Sequence, residues 1–84
     1  MATKIIPLAA KKIKLRKISK STLTETIKHP DQVLQGYGGR TIYQKIYKVE
    51  DKKKLLRVVC EKDEKDIVIV TAYLTSQIEK YWRT

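Results

Sequence analysis

The sequence predicts an α+β domain, in which an N-terminal two-helix hairpin packs on an antiparallel β-meander of three to four strands and a short C-terminal helix closes the chain. Three observations carry this expectation. Apolar residues before position 30 recur at helical spacing, the period changes to two from Thr41 onward, and the strand-like runs are joined by polar turns. Turns this short exclude parallel crossovers between those strands, because such crossovers need a dozen or more residues.

Pro7 suits a first helical position, where its missing N–H costs nothing. Leu8, Ala9, Ile13 and Leu15, with Lys11, Lys12, Lys14, Arg16 and Lys17 between them, then read as a short basic amphipathic helix. Ser19 or Ser21 can cap a second helix bearing Leu23 and Ile27 on one face, and His29-Pro30 ends it, since the residue before Pro avoids the α region. Val33 and Leu34 lead into a glycine-rich turn that delivers Arg40. Strand-like runs follow from Thr41 through Val49, from Leu55 to Cys60 and from Ile67 to Leu74, separated by the polar turns Glu50-Asp-Lys-Lys and Lys62-Asp-Glu-Lys. Thr75 or Ser76 can cap a closing helix over Gln77–Trp82, with Ile78, Tyr81 and Trp82 covering one end of the sheet.

With 84 residues the chain is one domain, residues 1–84, with 1–6 expected to be flexible. A core this small leaves no room for a large internal cofactor pocket. The single Cys60 removes an internal disulfide framework and any CxxC metal or redox motif, which fits a reducing cytoplasm. The apolar stretches are too short for a signal h-region or a membrane span, so the expected location is cytoplasmic, with no membrane partner.

Charge narrows the function. Lys and Arg number 19 against 9 Asp and Glu, a net charge of +10, and a surplus of this size favours polyanionic partners, nucleic acid first among them. Residues 1–48 hold 11 basic and 2 acidic side chains, whereas 49–84 hold 8 and 7. Lys11, Lys12, Lys14, Arg16, Lys17 and Lys20 are therefore the expected phosphate contacts.

One His, one Cys and acids placed mostly in Lys-rich turns supply no metal-ligand cluster and no carboxylate pair for hydrolysis, so neither metal nor cofactor is expected. What remains is a basic, phenolic and hydroxyl set: Arg40, Tyr43, Lys45, Arg57, Thr71, Tyr73 and Ser76. Such a set suits metal-independent RNA cleavage, in which the phosphate is neutralised by Arg or Lys and protons are exchanged with Tyr or Lys. Arg57, flanked on its strand face by Leu55 and Val59, is the strongest single candidate, because a charge there is costly unless it reaches a cleft or a partner. Side chains alternate along a strand, so whether Lys45, Arg57 and Tyr73 share a face depends on turn register, which the sequence leaves open. His29 reads as a helix C-terminal residue and Cys60 as a core residue, while Tyr37, Tyr81 and Trp82 are candidates either for stacking on bases or for finishing the core.

The segments Lys28-His-Pro-Asp-Gln-Val, Gly39-Arg40, Gln44-Lys45, Leu56-Arg57-Val-Val, Ile69-Val-Thr-Ala-Tyr-Leu-Thr-Ser and Ile78-Glu-Lys-Tyr-Trp resemble an uncharacterised family of small prokaryotic proteins. That family looks like a relative of the RelE/ParE-type toxins, within the group joining barnase-like, EndoU-like and colicin-type RNase folds. The resemblance implies two N-terminal helices before an antiparallel sheet, and a metal-independent endoribonuclease acting on free or ribosome-bound RNA under control of an acidic antitoxin. It assigns Arg40, Lys45, Arg57, Thr71 and Tyr73 to the site. Members often begin the first helix with His-Ala, whereas this chain has Leu8-Ala9. If that His carries the proton, this chain binds RNA without cutting it. Three readings therefore stand: a RelE-like endoribonuclease, a non-catalytic nucleic-acid-binding module, and an interaction protein for an acidic partner.

Overall fold

The computed structural model describes residues 3–83. In order, the chain forms β1 (Thr3–Ile5), α1 (Pro7–Leu15), α2 (Lys20–Lys28), β2 (Gln32–Gln35), β3 (Thr41–Val49), β4 (Lys52–Asp63), β5 (Asp66–Thr75) and α3 (Ile78–Tyr81). All five strands join one sheet in the order β1-β5-β4-β3-β2.

This corrects the expected architecture. The chain is α+β, but it is dominated by a five-stranded mixed sheet with short helices, not by a helix hairpin on a three- to four-stranded meander. The β3-β4-β5 meander is its centre, and two edge strands escaped sequence reading. In the segment expected to be flexible, Thr3–Ile5 pairs in parallel with Ile67–Ile69. Gln32–Gln35, expected to lead into a turn, pairs antiparallel with Thr41–Gln44. Both edges are short, and their burial patterns carry little apolar signal. The helices also do not pack chiefly on each other: α1 lies over β5, and α2 over β3 and β4.

Local chemistry explains the helices. Pro7 opens α1, and Ser19 caps α2 by accepting the Thr22 amide at 3.2 Å. Lys17 takes a left-handed conformation (φ 57°) in the link between them. Between β2 and β3 the chain turns back through a 3-10 turn, Tyr37–Gly39, in which Gly38 and Gly39 have φ of 67° and 74°. Residues with a Cβ rarely adopt that conformation.

Helices α1 and α2 cover one face of the sheet. Ala9, Ile13, Ile18 and Leu23 meet Leu56, Val58, Cys60, Ile67, Ile69 and Ala72 there, with Tyr43 and Tyr47 packed against the cluster. Burying a Leu or Ile of this kind stabilises the fold by roughly 1.5–3 kcal/mol. A β-bulge keeps that face apolar. Val59 pairs with Thr71 but Cys60 pairs with Ile69, so one extra residue on β5 switches its alternation, and Ile67 and Ile69 share a face with Ala72. The opposite face carries the other parity, including Arg57, and receives the C-terminal segment through Tyr81.

Candidate functional site

Register places four polar side chains in one row. Gln32 is opposite Gln44, Gln44 opposite Arg57, and Arg57 opposite Tyr73, across β2, β3, β4 and β5. Alternation therefore points all four to the face away from α1 and α2. They are joined by hydrogen bonds. Gln44 Nε2 donates to Gln32 Oε1 at 2.9 Å, Arg57 Nε donates to Gln44 Oε1 at 2.6 Å, and Arg57 Nη1 donates to the Tyr73 hydroxyl. Gln44 is fully buried, so its amide has nowhere else to turn.

The C-terminal segment completes the cluster. Arg57 Cζ lies 4.2 Å from the Tyr81 ring centroid and 5.7 Å from that of Tyr73, and the two rings meet edge to face at 6.3 Å. Gln32 accepts the Arg83 amide at 3.0 Å and donates to the Arg83 carbonyl oxygen, while Gln44 Nε2 also approaches the Tyr81 carbonyl at 3.4 Å. Arg57 is thus a half-buried cation held by an amide, a phenol and an aromatic face. Among the described residues it has no carboxylate within ion-pair distance. A half-buried, immobilised guanidinium of this kind is suited to an anion such as phosphate, which a planar donor fork binds well.

Arg57 and Tyr73 are brought together, opposite each other on β4 and β5. Thr71 is on the same face but opposite Val59, two residues along β5. Lys45 is not in the cluster: it pairs with Leu56 on the helix side, donates to the His29 carbonyl at 2.8 Å and lies 3.9 Å from Asp31. Arg40 sits before β3 and is tied to Glu61 at 3.0 Å. The register that the sequence left open thus separates Lys45 from Arg57 and Tyr73, because it pairs Gln44, not Lys45, with Arg57.

Lys11, Lys12, Lys14, Arg16, Lys17 and Lys20 are all exposed, the first three on α1, Arg16 and Lys17 just after it, and Lys20 at the start of α2. They lie on the opposite side of the sheet from Arg57. Arg16 has a structural tie as well, since its Nη1 donates to the Ala72 carbonyl at 2.9 Å. Leu8, where the resembled family often has His, is exposed at the start of α1.

The remaining candidates divide. His29 ends α2, its amide bonded to the Glu25 carbonyl. Tyr43 is half-buried on the helix side, where burial raises its phenol pKa. Cys60 is buried, and burial pushes its thiol up to about 12, far from nucleophilic at neutral pH. Ser76 is exposed, Tyr37 is almost wholly so, and Trp82 caps α3. Sequence reasoning missed Gln32 and Gln44. A signal for Gln44 was present, because it stands between Ile42 and Ile46 on one strand face, where a polar side chain needs a partner.

Fold and site together define a small basic α+β domain built around a buttressed, carboxylate-free arginine. The family described as Domain of unknown function (DUF4258) matches residues 9–74, and the chain belongs to that family. The match spans Gln32, Gln44, Arg57 and Tyr73 but stops short of Tyr81 and Arg83. No curated protein and no solved structure matches the chain. Among the described residues no helix is long and apolar enough to cross a membrane.

Proposed function

We propose that this chain is a cytoplasmic RNA-interacting domain of the RelE-like toxin type, in which Arg57 receives a backbone phosphate. The observation that carries this reading is the Arg57 guanidinium, fixed by Gln44 and Tyr73, laid over Tyr81 and free of a carboxylate partner among the described residues. A net charge of +10 supplies the long-range attraction, and Tyr81 and Tyr73 offer aromatic surface beside the cation. Binding without cleavage is the favoured form. Cleavage needs a proton acceptor at the 2′-OH, and the hydrogen-bonded partners of Arg57 are an amide and a phenol.

Cleavage is a second reading, supported by the Tyr73 hydroxyl beside Arg57. Such a pair would neutralise the phosphate and exchange a proton with the reacting oxygens. The test is incubation with total RNA and with translating ribosomes in excess chelator, alongside Arg57→Ala and Tyr73→Phe. RNA retained at moderate salt by the wild type, and weakened by Arg57→Ala, is the result expected for a binding domain. Defined new RNA ends that vanish in both variants would establish cleavage instead. Failure to retain RNA, with tight capture of an acidic polypeptide, would overturn the RNA reading in favour of an interaction protein.

A further inference from the structure

The β3–β4 hairpin outruns the sheet. Strand β2 pairs with β3 only over Thr41–Gln44, and β5 reaches β4 only as far as Leu55. Residues 47–54 therefore form a two-stranded ribbon with neither neighbour beside it, closed by the two-residue turn Glu50-Asp51. Its ladder runs unbroken to the tip through the pairs Tyr47 with Lys54, Lys48 with Lys53, and Val49 with Lys52.

The composition of this ribbon runs against its own stability. Lys48 and Lys53 stand directly opposite each other, a like-charge cross-strand pair, with Lys52 and Lys54 alternating onto the other face. None of the four is ion-paired among the described residues, although Glu50 and Asp51 lie in the adjoining turn. A carboxylate at position 48 or 53 would turn repulsion into attraction and would guard a free strand edge against aggregation equally well. Edge protection alone does not explain why both positions are Lys.

We propose that the tip of this hairpin, through Lys48 and Lys53, is a phosphate-binding element for the backbone of the same RNA. This rests on the RNA reading above and adds a contact region that neither the charge of α1 nor the Arg57 cluster supplies. Lys48 and Lys53 point to the same sheet face as Arg57, since 53 and 57 on β4, like 44 and 48 on β3, have equal parity. Four residues of strand separate Lys53 from Arg57, roughly 13 Å at about 3.3 Å per residue, a span of a few nucleotides of single strand. The α1 lysines, on the opposite face, do not lie along that line.

The experiment measures binding of a labelled single-stranded oligouridine across a salt series, with thermal unfolding of each protein. The proteins are wild type, Lys48→Gln with Lys53→Gln, Lys53→Glu and Lys53→Arg. The double Gln variant is expected to flatten the log–log salt slope by about 1.4, about 0.7 for each lost phosphate contact on a single strand. Lys53→Glu is expected to weaken binding further while raising the unfolding midpoint, and Lys53→Arg to bind like the wild type. An unchanged slope in the double variant, with wild-type binding intact, overturns the hairpin assignment and leaves the RNA reading standing. Weakened binding that appears only together with a lowered unfolding midpoint also overturns it. A wild-type protein that binds no oligouridine even at low salt overturns both.

Discussion

The guanidinium of Arg57, on the central strand of the sheet, lies over the ring of Tyr81 in the four-residue C-terminal helix, with Cζ 4.2 Å from the ring centroid. A helix this short cannot sustain itself in water, so its position is set by tertiary contacts. The cation that defines the candidate site therefore also anchors the end of the chain.

Removing the ring should release that anchor. Tyr81→Ala is expected to lower stability by about 1–2 kcal/mol, from lost cation–π attraction and lost apolar burial. Tyr81→Phe keeps the ring over Arg57 and is expected to cost less than half as much. Urea unfolding midpoints of the two variants check this, and equal losses would show that the ring contact is not what holds the segment.

Gln44 separates structure from binding. Gln44→Leu fills similar volume but strips Arg57 Nε and Gln32 of a buried partner, with an expected cost of about 1–3 kcal/mol. Gln44→Glu places a carboxylate against Arg57 and should preserve the fold while cancelling the free positive charge. Its affinity for RNA is then expected to fall to that of Arg57→Ala, measured under the same salt conditions. Wild-type affinity in Gln44→Glu would remove Arg57 from the proposed interface.

The turn at the hairpin tip is strained. Glu50 and Asp51 both take left-handed conformations, with φ of 51° and 64°, in a two-residue hairpin loop that favours Asn-Gly. Replacing Glu50-Asp51 by Asn-Gly is expected to raise stability by about 1 kcal/mol, read as a shift in chemical-unfolding midpoint. A loss of stability would show that the acidic side chains hold the turn through attraction to the neighbouring lysines.

Cys60 gives the pH dependence a sign. Its folded-state pKa of about 12 stands above the ordinary 9.0, because burial disfavours the thiolate. The unfolded chain therefore releases this proton near pH 9 while the native state keeps it. The stability contribution is fully present below about pH 9 and is lost progressively as pH rises through about 12. Tyr43 and Tyr47, raised mainly by burial, act in the same direction. The wild type is expected to destabilise between these limits, and Cys60→Ala to show a shallower alkaline slope at lower overall stability. At pH 8 native Cys60 should resist alkylation until denaturant is added, and rapid native-state labelling would contradict its burial.

Elements whose signals are local were legible in the residue order. Pro7 and Ser19 set the starts of α1 and α2, the change to period two at Thr41 set β3, and the polar turns set the antiparallel order of β3, β4 and β5. The residue order also pointed to Arg57 as the strongest single candidate, a charge on a strand otherwise largely apolar in its middle, and held Tyr73 only as one of a basic, phenolic and hydroxyl set with Arg40, Tyr43, Lys45, Thr71 and Ser76. Long-range pairing settled the remainder. Strands β1 and β2 exist because neighbours supply their hydrogen bonds, and short edges carry too little apolar pattern to announce themselves. The site was decided by register: a slip of one residue reverses every side chain, so the choice between Lys45 and Gln44 as the neighbour of Arg57 lay in the pairing across the Glu50-Asp51 turn. That same pairing sets Lys48 against Lys53, a juxtaposition created by the fold from residues five positions apart in the chain.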